Sequence, residues 1–265
     1  MAILDGNIQF TGSMGAASAF KMRGVKGTVI RQKGGASKQK IKTNPSFANT
    51  RRLNDEFAGC AKASAMIRNA MAPLKHIANY NIAGELTGLM KRIQVMDKRS
   101  SYGKRSVLLS SYGQTLEGFS LNNVLTLDGI IRQPLSFAVS RKDLIASIEI
   151  PELIPGLNFY IPGRYPLFRI IACLGIVPDV IYTRYGYQAA NKKTRPLAIS
   201  ENTEWTSTAA TIASQTLELS LPDNIIVDEE TSLVVTAGIE FGMPLTNTEV
   251  KQIRYSGSGK ILAFA

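Results

Sequence analysis

Apolar residues first fall into register at Leu53. Leu53, Phe57, Cys60, Ser64, Ile67 and Met71 recur at alternating intervals of four and three, which sets them on one stripe of an α-helix. Upstream, Asn44-Pro45 supplies an N-cap followed by proline at the first helical position. Asp55 and Glu56 would suit a later start near Thr50, and Pro73 ends the segment. A second stripe carries Ile82, Leu86, Leu89, Met90, Ile93 and Met96, with Lys91, Arg92, Lys98 and Arg99 opposite and Gly103 closing it. Two such helices joined by a short linker predict an antiparallel hairpin over residues 44–105. Stripes of Met and Leu at this spacing are core before they are a cofactor box.

From Ser106 the period changes to two. Leu144, Ala146, Ile148 and Ile150, and again Leu217, Leu219 and Leu221, alternate as half-buried strands do. Shorter β-rich runs fall at 107–110, 116–120, 124–127, 135–139, 168–173, 180–183, 232–241, 251–255 and 261–264. Pro222-Asp223-Asn224, Asp228-Glu229-Glu230 and Ser256-Gly257-Ser258-Gly259 read as turns between them. With no helical stripe after residue 106, parallel βαβ units are disfavoured, and residues 106–265 predict an antiparallel β-sandwich, Ig-like or Greek-key. The expected class is therefore α+β.

Residues 1–43 follow neither period, although residues 1–9 have weak strand character. Glycines alternate there with small and basic residues, a composition that cannot build a core of its own, because glycine costs backbone entropy and lysine resists burial. The expectation is an extended basic arm, disordered in isolation. Gly27-Thr28-Val29-Ile30-Arg31 is its one β-branched run, and a lone strand without a hairpin partner must borrow a sheet edge from its own subunit or a neighbour. Gly24, Gly27, Thr28, Val29, Ile30, Arg31, Gly34 and Gly35 are the candidates for contact between subunits. Lys21, Arg23, Lys26, Lys33, Lys38, Lys40, Lys42, Arg51 and Arg52 are the candidates for polyanion binding.

Charge sharpens this division. Residues 1–105 hold 19 Lys and Arg against 5 Asp and Glu, whereas residues 106–265 hold 12 against 15. A basic front and a weakly acidic back suit nucleic acid, or head-to-tail contact between copies of one chain. Two cysteines, Cys60 and Cys173, sit inside apolar patterns and suit a reducing compartment rather than a disulfide scaffold. No basic-then-apolar leader is visible, and the longest apolar run, near Ile170 to Val180, is interrupted by Gly175, Pro178 and Asp179. A cytoplasmic protein without a membrane span is expected.

Catalytic sets are thin. His76 is the single histidine and lies in a linker, so acid–base, triad and zinc chemistry lack their usual parts. Ser256 to Lys260 reads SGSGK, but Arg254 stands where a P-loop needs glycine and Ile261 where it needs Ser or Thr. No cofactor or metal is expected. The aromatics Tyr160, Tyr165, Phe168, Tyr182, Tyr185 and Tyr187 interleave with Arg164, Arg169 and Arg184, as in interface hot spots and stacking surfaces. Strand ends and corners would place tyrosines similarly.

The run NPSFANTRRLNDEFAGCAKASAMIRNAM, then YNIAGELTGLMKRIQ, YGKRSVLLS, EGFSLN and LGIVPDVIYTRYGY, with FxGxxG and RGxxxxxxR ahead of them, resembles one family of bacterial proteins. That family has no assigned activity, so the resemblance implies no functional residues. It implies only that the arm, helices and β-region belong together. The reading taken from the residues is a non-enzymatic, self-assembling structural subunit whose arm reaches neighbours in a filament, tube or shell. The alternative is a nucleic-acid-binding protein that uses the basic arm, and a third is an enzyme or carbohydrate binder built on the aromatic cluster.

Overall fold

The structure, a computed structural model, describes residues 2–6, 10–22, 24–191, 197–222, 225, 227–246 and 249–265. Within them the chain is α+β and divides into two compact units, one running through Arg51 and the other Arg52–Ala265. The expected three-part division, at 43 and 105, does not coincide with these units.

In the first unit, β1 (Ala2–Leu4), β2 (Gly12–Met14), β3 (Ala17–Phe20) and β4 (Thr28–Gln32) form an antiparallel sheet in the order β1-β4-β3-β2. This replaces the expected extended arm. The β-branched run is not alone: Ile30 pairs with Ala2 on one side and with Ala19 on the other. Two glycines make it possible. Gly15, at φ 54, turns the β2–β3 hairpin. Gly27, at φ 92, lets β1 come so close that a Cβ there would lie 2.5 Å from the Leu4 carbonyl oxygen. Helix α1 (Lys38–Thr43) follows, with Ser37 as N-cap accepting from the Lys40 amide. Arg51 donates to the Ile41 and Asn44 carbonyls at 2.7 and 2.9 Å, satisfying groups the short helix leaves open.

Asn44 caps a 3-10 turn, Pro45–Phe47, and α2 (Ala48–Ala70) begins after it. A second turn, Ala72–Ile77, leads to α3 (Ile82–Met96), whose N-cap is Asn81. The two helices make contacts in opposite order: Glu56 meets Lys91, and Ser64 donates to the Ala83 carbonyl. Along α2 the buried stripe keeps Cys60, Ser64 and Ile67 but differs from the expected one before them. Glu56 is enclosed, while Leu53 and Phe57 remain 43% and 63% exposed.

The β-region holds β5 (Ser136–Ser140), β6 (Ile145–Ile150), β7 (Leu167–Pro178), β8 (Val180–Thr183), β9 (Gly186–Ala189), β10 (Ala198–Asn202), β11 (Thr206–Ser207), β12 (Gln215–Ser220), β13 (Thr231–Pro244), β14 (Val250–Gln252) and β15 (Ser258–Phe264). Among the described residues, the central sheet is β10-β7-β13-β14, with β11 also on β7 and β15 also on β13. A second sheet runs β12-β6-β5, and β8 pairs with β9 as a separate hairpin. The runs expected as strands at 107–110, 116–120 and 124–127 are instead turns, bends and isolated bridges at Val107 and Ser120, bordering short helical turns at 109–116 and 127–130.

Strands β7 and β13 are buried along nearly their whole length because both faces of the central sheet are covered. Ile171, Cys173 and Val177 of β7, with Val234 of β13, pack under α2 and α3. Ile170, Ala172, Leu174 and Ile176, with Val235, Ala237, Ile239 and Phe241, pack against Ala146, Ile148 and Ile150 of β6 and Leu219 of β12. An Ig-like sandwich leaves the outer face of each sheet to solvent; here helices occupy one of them. Gly175 lies where α2 ends, and a Cβ at that position would stand 2.1 Å from the Ala70 carbonyl oxygen. Gly175→Ala must therefore push the helix off the sheet. It is expected to cost roughly 3 kcal/mol, read as a lowered urea midpoint with the slope unchanged.

Candidate functional site

The residues proposed for subunit contact lie on or beside the first sheet. Thr28 and Val29 are buried in it; Ile30 is half-buried, Arg31 is exposed, and Gly24, Gly34 and Gly35 lie in open connections. The Arg31 guanidinium sits 5.3 Å from the centre of the Phe20 ring, and Lys33 donates to the Gly15 carbonyl at 3.0 Å. Lys21, Lys26, Lys38, Lys40 and Lys42 are exposed, Arg51 is engaged as described, and Arg23 lies outside the described residues. Arg52, in the second unit, rests its side chain on Gly103. The cations are spread over a sheet, a turn and a helix. They do not converge.

Sequence reasoning missed two buried carboxylates that organise the second unit. Glu56, fully enclosed on α2, accepts from Arg105 Nε and an Arg105 terminal nitrogen, both at 2.7 Å, from Lys91 Nζ at 2.5 Å and from the Gly103 amide at 2.9 Å. Burial is the largest single influence and opposes ionisation, but those four donors together outweigh it and hold the carboxyl at about 2. Gln94 completes the network. Its amide nitrogen donates to the Glu56 and Arg105 carbonyls at 3.1 and 3.0 Å. Nearby, Asp97 accepts from the amides of Arg99, Ser100 and Ser106, which fixes the loop after α3; burial again opposes charge and these bonds again prevail, at about 2. From the sequence, Glu56 reads with Asp55 only as a helix-start signal.

The second carboxylate is Glu240 on β13, also buried. It stands directly opposite Arg169 of β7 in the ladder and pairs with its Nε. His76 Nε2 and Gln252 Nε2 each lie 2.5 Å from its other oxygen. Burial works against the charged form, yet the hydrogen bonds from His76 and Arg169 keep the carboxyl below its ordinary value. Trp205 lies over the Arg169 guanidinium at 4.7 Å. His76 thus anchors the inter-helix turn to the sheet. Neither thiol is poised to react: burial raises Cys60 to about 11 and Cys173 to about 12. Among the described residues no three His, Cys, Asp or Glu side chains gather as a metal site needs, and no helix is long and apolar enough to cross a membrane. SGSGK belongs to β15 and the turn before it, with Lys260 paired to Asp128 at 2.5 Å.

The aromatic run separates into two places. Phe168 is core, its ring 4.6 Å from Phe159 and 6.5 Å from Phe241. Tyr165 joins the same stack, 5.2 Å from Phe241, and Tyr160 is exposed beside Arg132. Tyr182, Tyr185 and Tyr187 belong instead to the β8–β9 hairpin. Tyr187 packs on Gly59 of α2 and donates to the Arg105 carbonyl at 2.9 Å, and its ring meets Tyr182 edge-on at 5.1 Å. Tyr185 projects outward with Arg184 over its ring at 4.7 Å.

No family model matches the chain, nor does any curated protein or solved structure compared with it. What remains is the geometry, and it predicts a measurable acid sensitivity. Glu56 has its folded value near 2, below the ordinary 4.5. The stability it supplies is present in full above about pH 4.5 and is withdrawn as the pH falls toward 2. Glu56→Gln leaves Arg105 without its counter-charge, at a cost on the order of 3 kcal/mol at neutral pH. The variant should also show a flatter loss of urea midpoint between neutrality and pH 3 than the parent chain.

Proposed function

We propose that this chain is a non-enzymatic structural subunit that assembles with copies of itself, its N-terminal sheet pairing with a neighbour. One observation carries the reading: among its described residues, the first unit encloses only Ala19, Thr28 and Val29. So small a core cannot hold a unit of that length on its own. Ile3 and Met14 stay exposed, and among the described residues the outer edges of β1 and β2 are unpaired. Such edges invite another strand.

The partner edge we assign is β5 of a second copy. Ser136, Phe137 and Ala138 are exposed there, and among the described residues β5 pairs on one side only, with β6. The outward side of that sheet carries Glu149 and Glu218, and its three strands contain no Lys or Arg. Such a face complements the cations of the first unit. A contact between different surfaces of identical subunits is heterologous, and without closure it propagates as a filament or tube. For this role we infer a β-sandwich of the central sheet and the β12-β6-β5 sheet, with α2 and α3 as an antiparallel hairpin on its far side. We also keep the resemblance to the bacterial family as a proposal.

Light scattering after size exclusion, with negative-stain microscopy, tests this on the full chain. Species that grow with protein concentration and shrink in high salt are expected, and Ala138→Lys on the β5 edge should reduce them. A monomer at every concentration overturns the reading.

A further inference from the structure

We propose that the loop 97–106 and the β8–β9 hairpin form a binding face for single-stranded nucleic acid. The loop reads DKRSSYGKRS, and its carboxylate is spent internally: both Asp97 oxygens accept backbone amides. Arg105 is spent too, on Glu56. Lys98, Arg99 and Lys104 are left exposed, and the hairpin adds Arg184. Asp55, exposed on α2 beside Tyr187, and Glu230, exposed where its carbonyl accepts the Asp179 amide at the hairpin base, are the carboxylates described nearby. The exposed charges on the loop and hairpin themselves are all positive, as phosphates require.

Loop and hairpin are one surface. Val107 and Val180 exchange backbone hydrogen bonds at 2.8 and 3.0 Å, Tyr187 holds the Arg105 carbonyl, and Lys104 Nζ lies 5.6 Å from the Tyr182 ring centre. These anchors join the backbones of loop and hairpin before any ligand arrives. Tyr102 and Tyr185 are 45% and 70% exposed, and each has a guanidinium near its ring, Arg105 at 5.3 Å and Arg184 at 4.7 Å. An exposed ring with a cation at hand gives a base a surface to stack on, while the lysines track the backbone. Stacking requires splayed bases, which single strands offer and duplexes do not. In the first unit, by contrast, the single described cation–ring pair is Arg31 with Phe20. A polyanion can bind there, but without a comparable platform. This face does not depend on the self-assembly reading.

Fluorescence anisotropy of the full chain with short labelled oligothymidylate and oligouridylate tests it, with a duplex of equal length and polyglutamate as competitors. Binding that weakens with salt is expected, reduced about 5- to 100-fold in Tyr185→Ala, the range a lost base–aromatic stack produces. Lys104→Glu with Arg184→Glu should abolish it, and Lys104→Gln with Arg184→Gln serves if the reversal fails to fold. Absence of binding at low salt overturns the proposal, as does binding unchanged in these variants, which would place the ligand elsewhere. Equal affinity for duplex overturns the stacking role, and stronger binding of polyglutamate assigns the face to an acidic protein segment instead.

Discussion

The pairing of β7 with β13 is the constraint from which the rest of the second unit follows. Twelve register pairs join them, from Leu167 with Gly242 to Pro178 with Thr231, and both faces of the ladder are covered. A strand buried on two sides has no solvent-facing positions, so every side chain must be apolar, absent or fully hydrogen-bonded. Leu174 and Val235 meet the first demand. Gly175 and Gly238 meet the second, one under the Ala70 carbonyl and the other under Leu74 and Ile77. Glu240 meets the third, with Arg169, His76 and Gln252 around it.

Two of the buried carboxylates, Glu56 and Glu240, divide the labour of holding the helical layer. Glu56 ties α2 to α3 and to the loop beyond it, while Glu240 ties the turn between the helices to the central sheet. Neither is favourable merely by being an ion pair, since desolvation opposes both. Their value lies in geometry: each offers several donors one position, and a shifted helix would leave those donors unmatched. The exposed Leu53 and Phe57 show what this rotation leaves outside.

Much of this was legible in the chain, and the failures have physical causes. Apolar periodicity placed the two helical segments and the strands near 144–150 and 216–221, because one-sided burial writes a period directly into sequence. It placed the β7 and β13 runs too, yet gave no sign that a helical layer covers one face, since a two-sided strand has no period to read. The N-terminal sheet was hidden for the opposite reason. GSM and ASAF are short, small-residue strands whose pairing rests on turns at Gly15 and close approach at Gly27, not on side-chain burial. Glu56 was unreadable because an acidic residue near a helix start usually faces solvent. The aromatic run looked continuous along the chain, but β7 carries Phe168 into the core while the next hairpin turns Tyr185 outward.

The length of the central ladder also governs how the molecule comes into being. During synthesis α2 and α3 emerge before β7, and β7 emerges well before β13, yet neither helix has its sheet face until those strands have met. Bringing Pro178 to Thr231 closes a long loop before any ladder contact repays its entropy. Until then β7 presents apolar side chains on both sides and unpaired backbone along both edges, the profile of an aggregation-prone intermediate. Slow folding, dependent on what shields β7 in that interval, is the kinetic counterpart of a strand that in the finished protein is buried along nearly its whole length.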